Sequence, residues 1–94
     1  MTTELPDGVV LQRTTDDFDA GSVPAGLLRA HRIAAGTWGR LQVRSGSLRF
    51  VWEDERDETG GSELSAGESV VIPPQVPHRV ELGPGACFAV EFYR

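Results

Sequence analysis

A run of prolines leading into a histidine is the part of this 94-residue sequence best suited to chemistry. The run is Gly67 to His78, GESVVIPPQVPH: a turn glycine, an apolar stretch, the pair Pro73-Pro74, then Pro77 directly before His78. Proline fixes φ and drives the residue before it to extended geometry. The passage therefore predicts a strand, a rigid bend, and a second strand that opens at the histidine. A backbone this stiff is how an imidazole that binds a ligand or moves a proton would be held. The chain has one other histidine, His31, and a single cysteine, Cys87. Near the end, Glu91 stands between Val90 and Phe92. A carboxylate in an apolar strand needs a partner, because burying it alone costs several kcal/mol or forces protonation. A metal ion is one such partner, and an arginine such as Arg40 or Arg79 is the other.

The elements that must position these residues read as strands. No window carries a clean helical period, and Gly or Pro interrupts nearly every candidate. After an irregular lead from Met1 to Val23, strands are predicted at Leu27 to Ile33, Trp38 to Arg44 and Ser47 to Glu53. Further strands are predicted at Ser62 to Ala66, Glu68 to Ile72, Pro77 to Leu82 and Ala86 to Tyr93. Ser45-Gly46 reads as a tight hairpin turn. Leu48, Phe50 and Trp52 alternate with Arg49, Val51 and Glu53, the period of a half-buried strand. Glu53 to Gly61 reads as a solvated loop; it lacks the ligand spacing and internal glycine of a calcium loop. Short strands separated by turn chemistry predict an all-β barrel or sandwich, a single domain over residues 1–94.

Strand parity places His31 with Leu27 and Ile33, and His78 with Val80 and Leu82, so both imidazoles are expected to point inward. Glu91 shares a face with Cys87, Ala89 and Tyr93, opposite Phe88, Val90 and Phe92. If the Phe face is the core, Glu91 points outward. If the Cys/Ala face is a cavity wall, Glu91 points in, and this second arrangement is the one preferred. Cys87 and Glu91 cannot both bind one ion: four strand residues span about 13 Å, while ligands sit about 2 Å from a metal. The bland readings are a pair of hydrogen-bonded core histidines, a cysteine that acts as a small hydrophobe, and tryptophans in the core or an interface.

Composition narrows the function classes. Fourteen acidic residues against nine basic ones, all arginine, leave a net charge of −5. Such a chain is poorly suited to nucleic acid or an anionic membrane surface. One cysteine excludes an internal disulfide. The start has no apolar leader and no run long enough to span a bilayer, so a cytoplasmic protein is expected.

Gly67, Pro73 and His78 fall at the spacings of the second cupin motif, with Gln75 at its inner glycine and Leu82 at its closing asparagine. Of the first cupin motif only the closing glycine matches, as Gly46. The segments VPAGLLRAHR, GTWGRLQVRSGSLRF, VIPPQVPHRVE and FAVEFYR give a closer match across nearly the whole chain. They resemble a small tellurite-resistance-related family that includes the cupin-like N-terminal domain of some TehB proteins and stand-alone YeaR-type proteins. The resemblance implies a cupin-like double-stranded β-helix. It also implies a divalent metal (zinc, iron, manganese or nickel) held by His31, His78 and Glu91. Two imidazoles and a carboxylate suit such ions and leave positions open. The chain ends at Arg94, too short for the methyltransferase domain of TehB, so methyl transfer is not expected. The function implied is a stress-associated metal-binding protein whose partner is a small molecule or oxyanion, with Arg40 a candidate contact to an anionic ligand. The alternatives are a metal-dependent dioxygenase or isomerase, and a metal-free binding module in which the same residues form a hydrogen-bond cluster. Edge strands in so small a fold favour a homodimer.

Overall fold

The computed structural model describes residues 4–28, 32–53 and 61–94. His31 and most of the acidic stretch after Glu53 lie outside them. Among the described residues there are seven strands: β1 (Leu11–Thr14), β2 (Trp38–Ser45), β3 (Ser47–Trp52), β4 (Ser62–Ser65), β5 (Ser69–Ile72), β6 (His78–Leu82) and β7 (Cys87–Tyr93). They form a four-stranded sheet in the order β1-β7-β2-β5 and a three-stranded sheet in the order β4-β3-β6. Every pairing is antiparallel. Strands β2 to β7 lie where the sequence periodicity predicts, to within about a residue at most ends.

The alternating residues of the two sheets meet in one core. Leu41, Val43, Ile72, Phe88 and Val90 come from the larger sheet, and Leu48, Phe50, Leu64 and Val80 from the smaller. Phe50, Phe88, Leu48 and Ile72 are the largest side chains wholly withdrawn from solvent. Burying each contributes about 1.5–3 kcal/mol. The irregular lead takes part as well. Phe18 exchanges two backbone hydrogen bonds with Phe88 (2.7 and 2.9 Å) and sets its ring edge-on to it at 5.7 Å.

Three expectations are corrected. Ser45-Gly46 is not a hairpin turn: β2 and β3 belong to different sheets, so this is a corner where the chain crosses between them. Both turn types need a residue at positive φ, so the local signal is the same; what decides is that β2 is already flanked by β5 and β7. The predicted strand from Leu27 to Ile33 is replaced at its start by a 3-10 turn, Ala25–Leu28, with Leu27 N–H bonded to the Pro24 carbonyl at 3.0 Å. Strand β1 escapes the sequence pattern because all four of its residues are exposed. It is held by backbone pairing to β7.

The corners gather at one end of the fold. Gly83 N–H bonds the Ser47 carbonyl, Ala66 N–H bonds the Gly46 carbonyl, and Gly67 N–H bonds the Val43 carbonyl. Gly46 has φ 64°, and a Cβ there would lie 2.4 Å from the Gly85 carbonyl carbon. Gly67 has φ 90° but open space around it. Gly67→Ala is expected to cost about 1 kcal/mol for the left-handed backbone alone. Gly46→Ala adds displaced backbone to the same strain and is expected to cost about 2 kcal/mol more. Urea denaturation of both variants checks this, and equal losses would show that the close approach at Gly46 carries no weight.

Candidate functional site

His78 is the first residue of β6, at the end of the fold opposite the corners, and is 3% exposed. Its ring stacks on Phe50 (centroids 5.3 Å apart, planes 19° apart) and meets the edge of Trp52 at 6.3 Å. Nδ1 lies 2.9 Å from the carbonyl oxygen of Val76. A carbonyl only accepts, so Nδ1 carries the proton and, in the neutral ring, Nε2 carries the lone pair. The bend that makes this contact is the proline passage itself, since Pro77 separates donor from acceptor. Gln75 takes φ 62°, and its N–H bonds the Ile33 carbonyl at 2.8 Å. This is the left-handed region, which glycine enters most readily.

A cavity of about 40 Å³ lies between the sheets beside His78, bounded by apolar groups that include Phe18, Leu27, Ile33, Ile72 and Phe88. That space is large enough for a water molecule or an ion. Among the described residues, no three His, Cys, Asp or Glu side chains come together in a way that could hold a metal.

Glu91 is on the other side of the sheet. Phe88 is 0% exposed and Val90 is in the core, so the Phe face of β7 is the inner one and the Cys/Ala face is not a cavity wall. The preferred parity is therefore corrected. Glu91 stands opposite Arg40 on β2 and Thr14 on β1, and its Oε1 accepts from Gln42 Nε2 and from the Tyr93 hydroxyl, each at 2.9 Å. The carboxylate thus has side-chain partners in Gln42 and Tyr93, and of the two arginines that the sequence offered, Arg40 stands across from it while Arg79 does not. Arg79 pairs instead with Glu53 and Glu81. Arg40 shares the outer face with Glu91 and points its Nε at Ser69 Oγ (3.4 Å), away from His78. Cys87 is half-buried on the same outer face. The structure therefore separates His78 from Glu91 and Arg40. His31 lies outside the described residues, but Leu27 and Ile33 on either side of it both border the His78 cavity. Sequence reasoning missed the Val76 carbonyl, a backbone group with no residue signature. It also missed the Gln42–Glu91–Tyr93 cluster, which only the β2–β7 register assembles.

The sequence matches the model of the TehB-like domain family over residues 13–90, and the chain belongs to that family. This is the tellurite-resistance-related family that its motifs resemble. Among solved structures it is similar to a protein of Escherichia coli strain K12 determined by a structural genomics consortium, with TM-score 0.84 and 22% identity over 99% of this chain and 97% of that one. It is also similar to TehB from Haemophilus influenzae, with TM-score 0.81 and 24% identity. That alignment covers 93% of this chain and 32% of TehB, so the chain spans about a third of TehB. At such identities these two likenesses concern the fold. No curated protein matches the sequence. Among the described residues, no helix is long and apolar enough to cross a membrane.

The outer-face cluster makes a prediction of its own. Burial raises the pKa of Tyr93 above the ordinary 10.0, the hydrogen bond and charge of Glu91 raise it further, and Arg40 opposes them. The folded state therefore holds the phenol proton more tightly than the unfolded chain does. The resulting stability is present in full below the ordinary tyrosine pKa and is lost as pH rises through the folded value. Tyr93 is the sole tyrosine, so its ultraviolet titration reads this directly. The midpoint is expected above that of free tyrosine, lowered in Glu91→Gln yet still raised by burial. An unchanged midpoint in that variant would break the assigned coupling.

Proposed function

We propose that this chain is a binding domain rather than an enzyme. In this reading it is a cytoplasmic, stress-associated member of the TehB-like family, a cupin-like double-stranded β-helix that assembles as a homodimer. It holds a divalent metal ion through His78 Nε2 and His31, with the remaining positions open to a small ligand or oxyanion. The observation that carries the reading is the hydrogen bond from His78 Nδ1–H to the Val76 carbonyl. Metal-binding histidines typically donate the other ring N–H to such an acceptor, which fixes the tautomer and aims the lone pair. The size of the adjoining cavity supports the same reading. Leu27 and Ile33, which flank His31 in the sequence and both line that cavity, support the part given to His31. Glu91 does not fit the set and is left out of it. A divalent ion held this way supplies Lewis acidity to a ligand oxygen or sulfur. The chain's own part is to orient His78 through Val76, to wall the site with Phe18, Ile72 and Phe88, and to keep bulk water from it. Among the described residues that line the cavity, no Asp, Glu, Lys or Tyr stands ready as a general base. For this reason binding is favoured over turnover.

Elemental analysis of protein purified without a His-tag tests this. Near-equimolar metal is expected in the wild type and in Glu91→Gln. In His31→Gln and His78→Gln the content is expected to fall about tenfold or more. Circular dichroism of each variant separates loss of metal from loss of fold. Absence of metal after loading with zinc, iron, manganese or nickel would remove the proposal, and loss in Glu91→Gln would restore the three-ligand set.

A further inference from the structure

A second concavity, outside the His78 cavity, gathers arginines. It has a volume of about 370 Å³, and its lining includes Arg13, Arg32, Arg94 and Thr37, with Ile33 and Phe92 as its apolar floor. No carboxylate side chain is among the lining residues. In a protein with net charge −5 this is an unusual gathering of positive charge. Arg44, Arg49 and Arg79 each have an acidic partner in Asp17, Glu81 and Glu53. Among the described residues, no Asp or Glu side chain is paired with Arg13, Arg32 or Arg94.

The three side chains also stand on anchored backbone. Arg13 is on β1 opposite Phe92, and its guanidinium carbon lies 4.7 Å from the centre of the Phe92 ring. A guanidinium stacked on an aromatic face keeps its N–H donors at its edges, where they can form paired bonds to two oxygens of one anion. Arg94 exchanges two backbone hydrogen bonds with Val10, both 3.0 Å. Arg32 precedes Ile33, whose carbonyl is tied to Gln75 N–H. The volume is at the lower end of the range for small-molecule sites.

We infer that this pocket binds a small dianion that presents phosphate or carboxylate oxygens to Arg13, Arg32 and Arg94. Several guanidiniums with no carboxylate side chain among the lining residues match a ligand carrying more than one negative charge. The floor of Ile33 and Phe92 leaves room for a short apolar portion. Ile33 and Phe92 also border the His78 cavity, so the two sites share a wall. The inference does not rest on a metal at His78.

Calorimetric titration of the full chain with inorganic phosphate and, separately, with succinate tests the site at low ionic strength. Amide chemical shifts at Ala34 and Thr37 localise the binding. At least one of the two anions is expected to bind and to weaken as sodium chloride is added. The tighter of them tells a tetrahedral oxyanion from a dicarboxylate. Arg13→Gln and Arg32→Gln are each expected to weaken it about tenfold or more, the worth of a charge-assisted hydrogen bond. Arg44→Gln removes the same charge away from the pocket and is expected to leave affinity unchanged within about twofold. The inference is overturned if neither anion binds at millimolar concentration. Equal weakening by Arg44→Gln would overturn it too, because it would mark diffuse charge rather than a site.

Discussion

The pairing of β7 with β2 decides which way everything else faces. Leu41 lies opposite Val90 and Val43 opposite Phe88, which turns those four side chains into the core. The same register puts Arg40 opposite Glu91 and Gln42 opposite Ala89, on the other face of the sheet. Side chains alternate with a period of two, so a slip of one residue would drive Glu91 into the core and turn Phe88 out to solvent. Burying an unpaired carboxylate and exposing the fully buried Phe88 ring both oppose the slip. The strand that holds the sheets together is therefore also the one that separates Glu91 from His78.

The two ends of the fold are built differently. At one end the corners at Gly46, Ala66-Gly67 and Gly83 bond to one another through their backbones. At the other, β6 opens at His78, and Ile33 closes against Gln75. Both concavities described above are at this second end, where side chains rather than backbone fill the space between the sheets. Rigidity at the corners and chemistry at the opposite rim are two aspects of one topology.

Much of this was legible in the sequence, for reasons that can be named. The alternation of Leu48, Phe50 and Trp52 places β3, because one face of that strand packs on the core. Pro73, Pro74 and Pro77 announce the bend before His78, since proline constrains backbone directly. The rest depends on contacts between distant segments. Strand β1 has no buried side chain, so no pattern marks it. Ser45-Gly46 reads as a turn, but whether the chain returns beside β2 or crosses to a second sheet is settled by β5 and β7. The face of Glu91 was an open choice because both faces of β7 carry uncharged residues. Arg13, Arg32 and Arg94 are scattered in the chain and meet only in the fold, where β1 pairs with β7 and the segment before β2 borders the same concavity.

The connection between β3 and β4 differs from the corners in what it can absorb. It joins strands that are already neighbours, with Phe50 opposite Ser62. Lengthening such a connection costs only about 0.6 kcal/mol for each doubling. The corner at Gly46 has no comparable latitude, because its backbone is packed against Gly85. Insertions and deletions among relatives should therefore collect between β3 and β4, and a foreign epitope or reporter placed there should leave the two sheets intact.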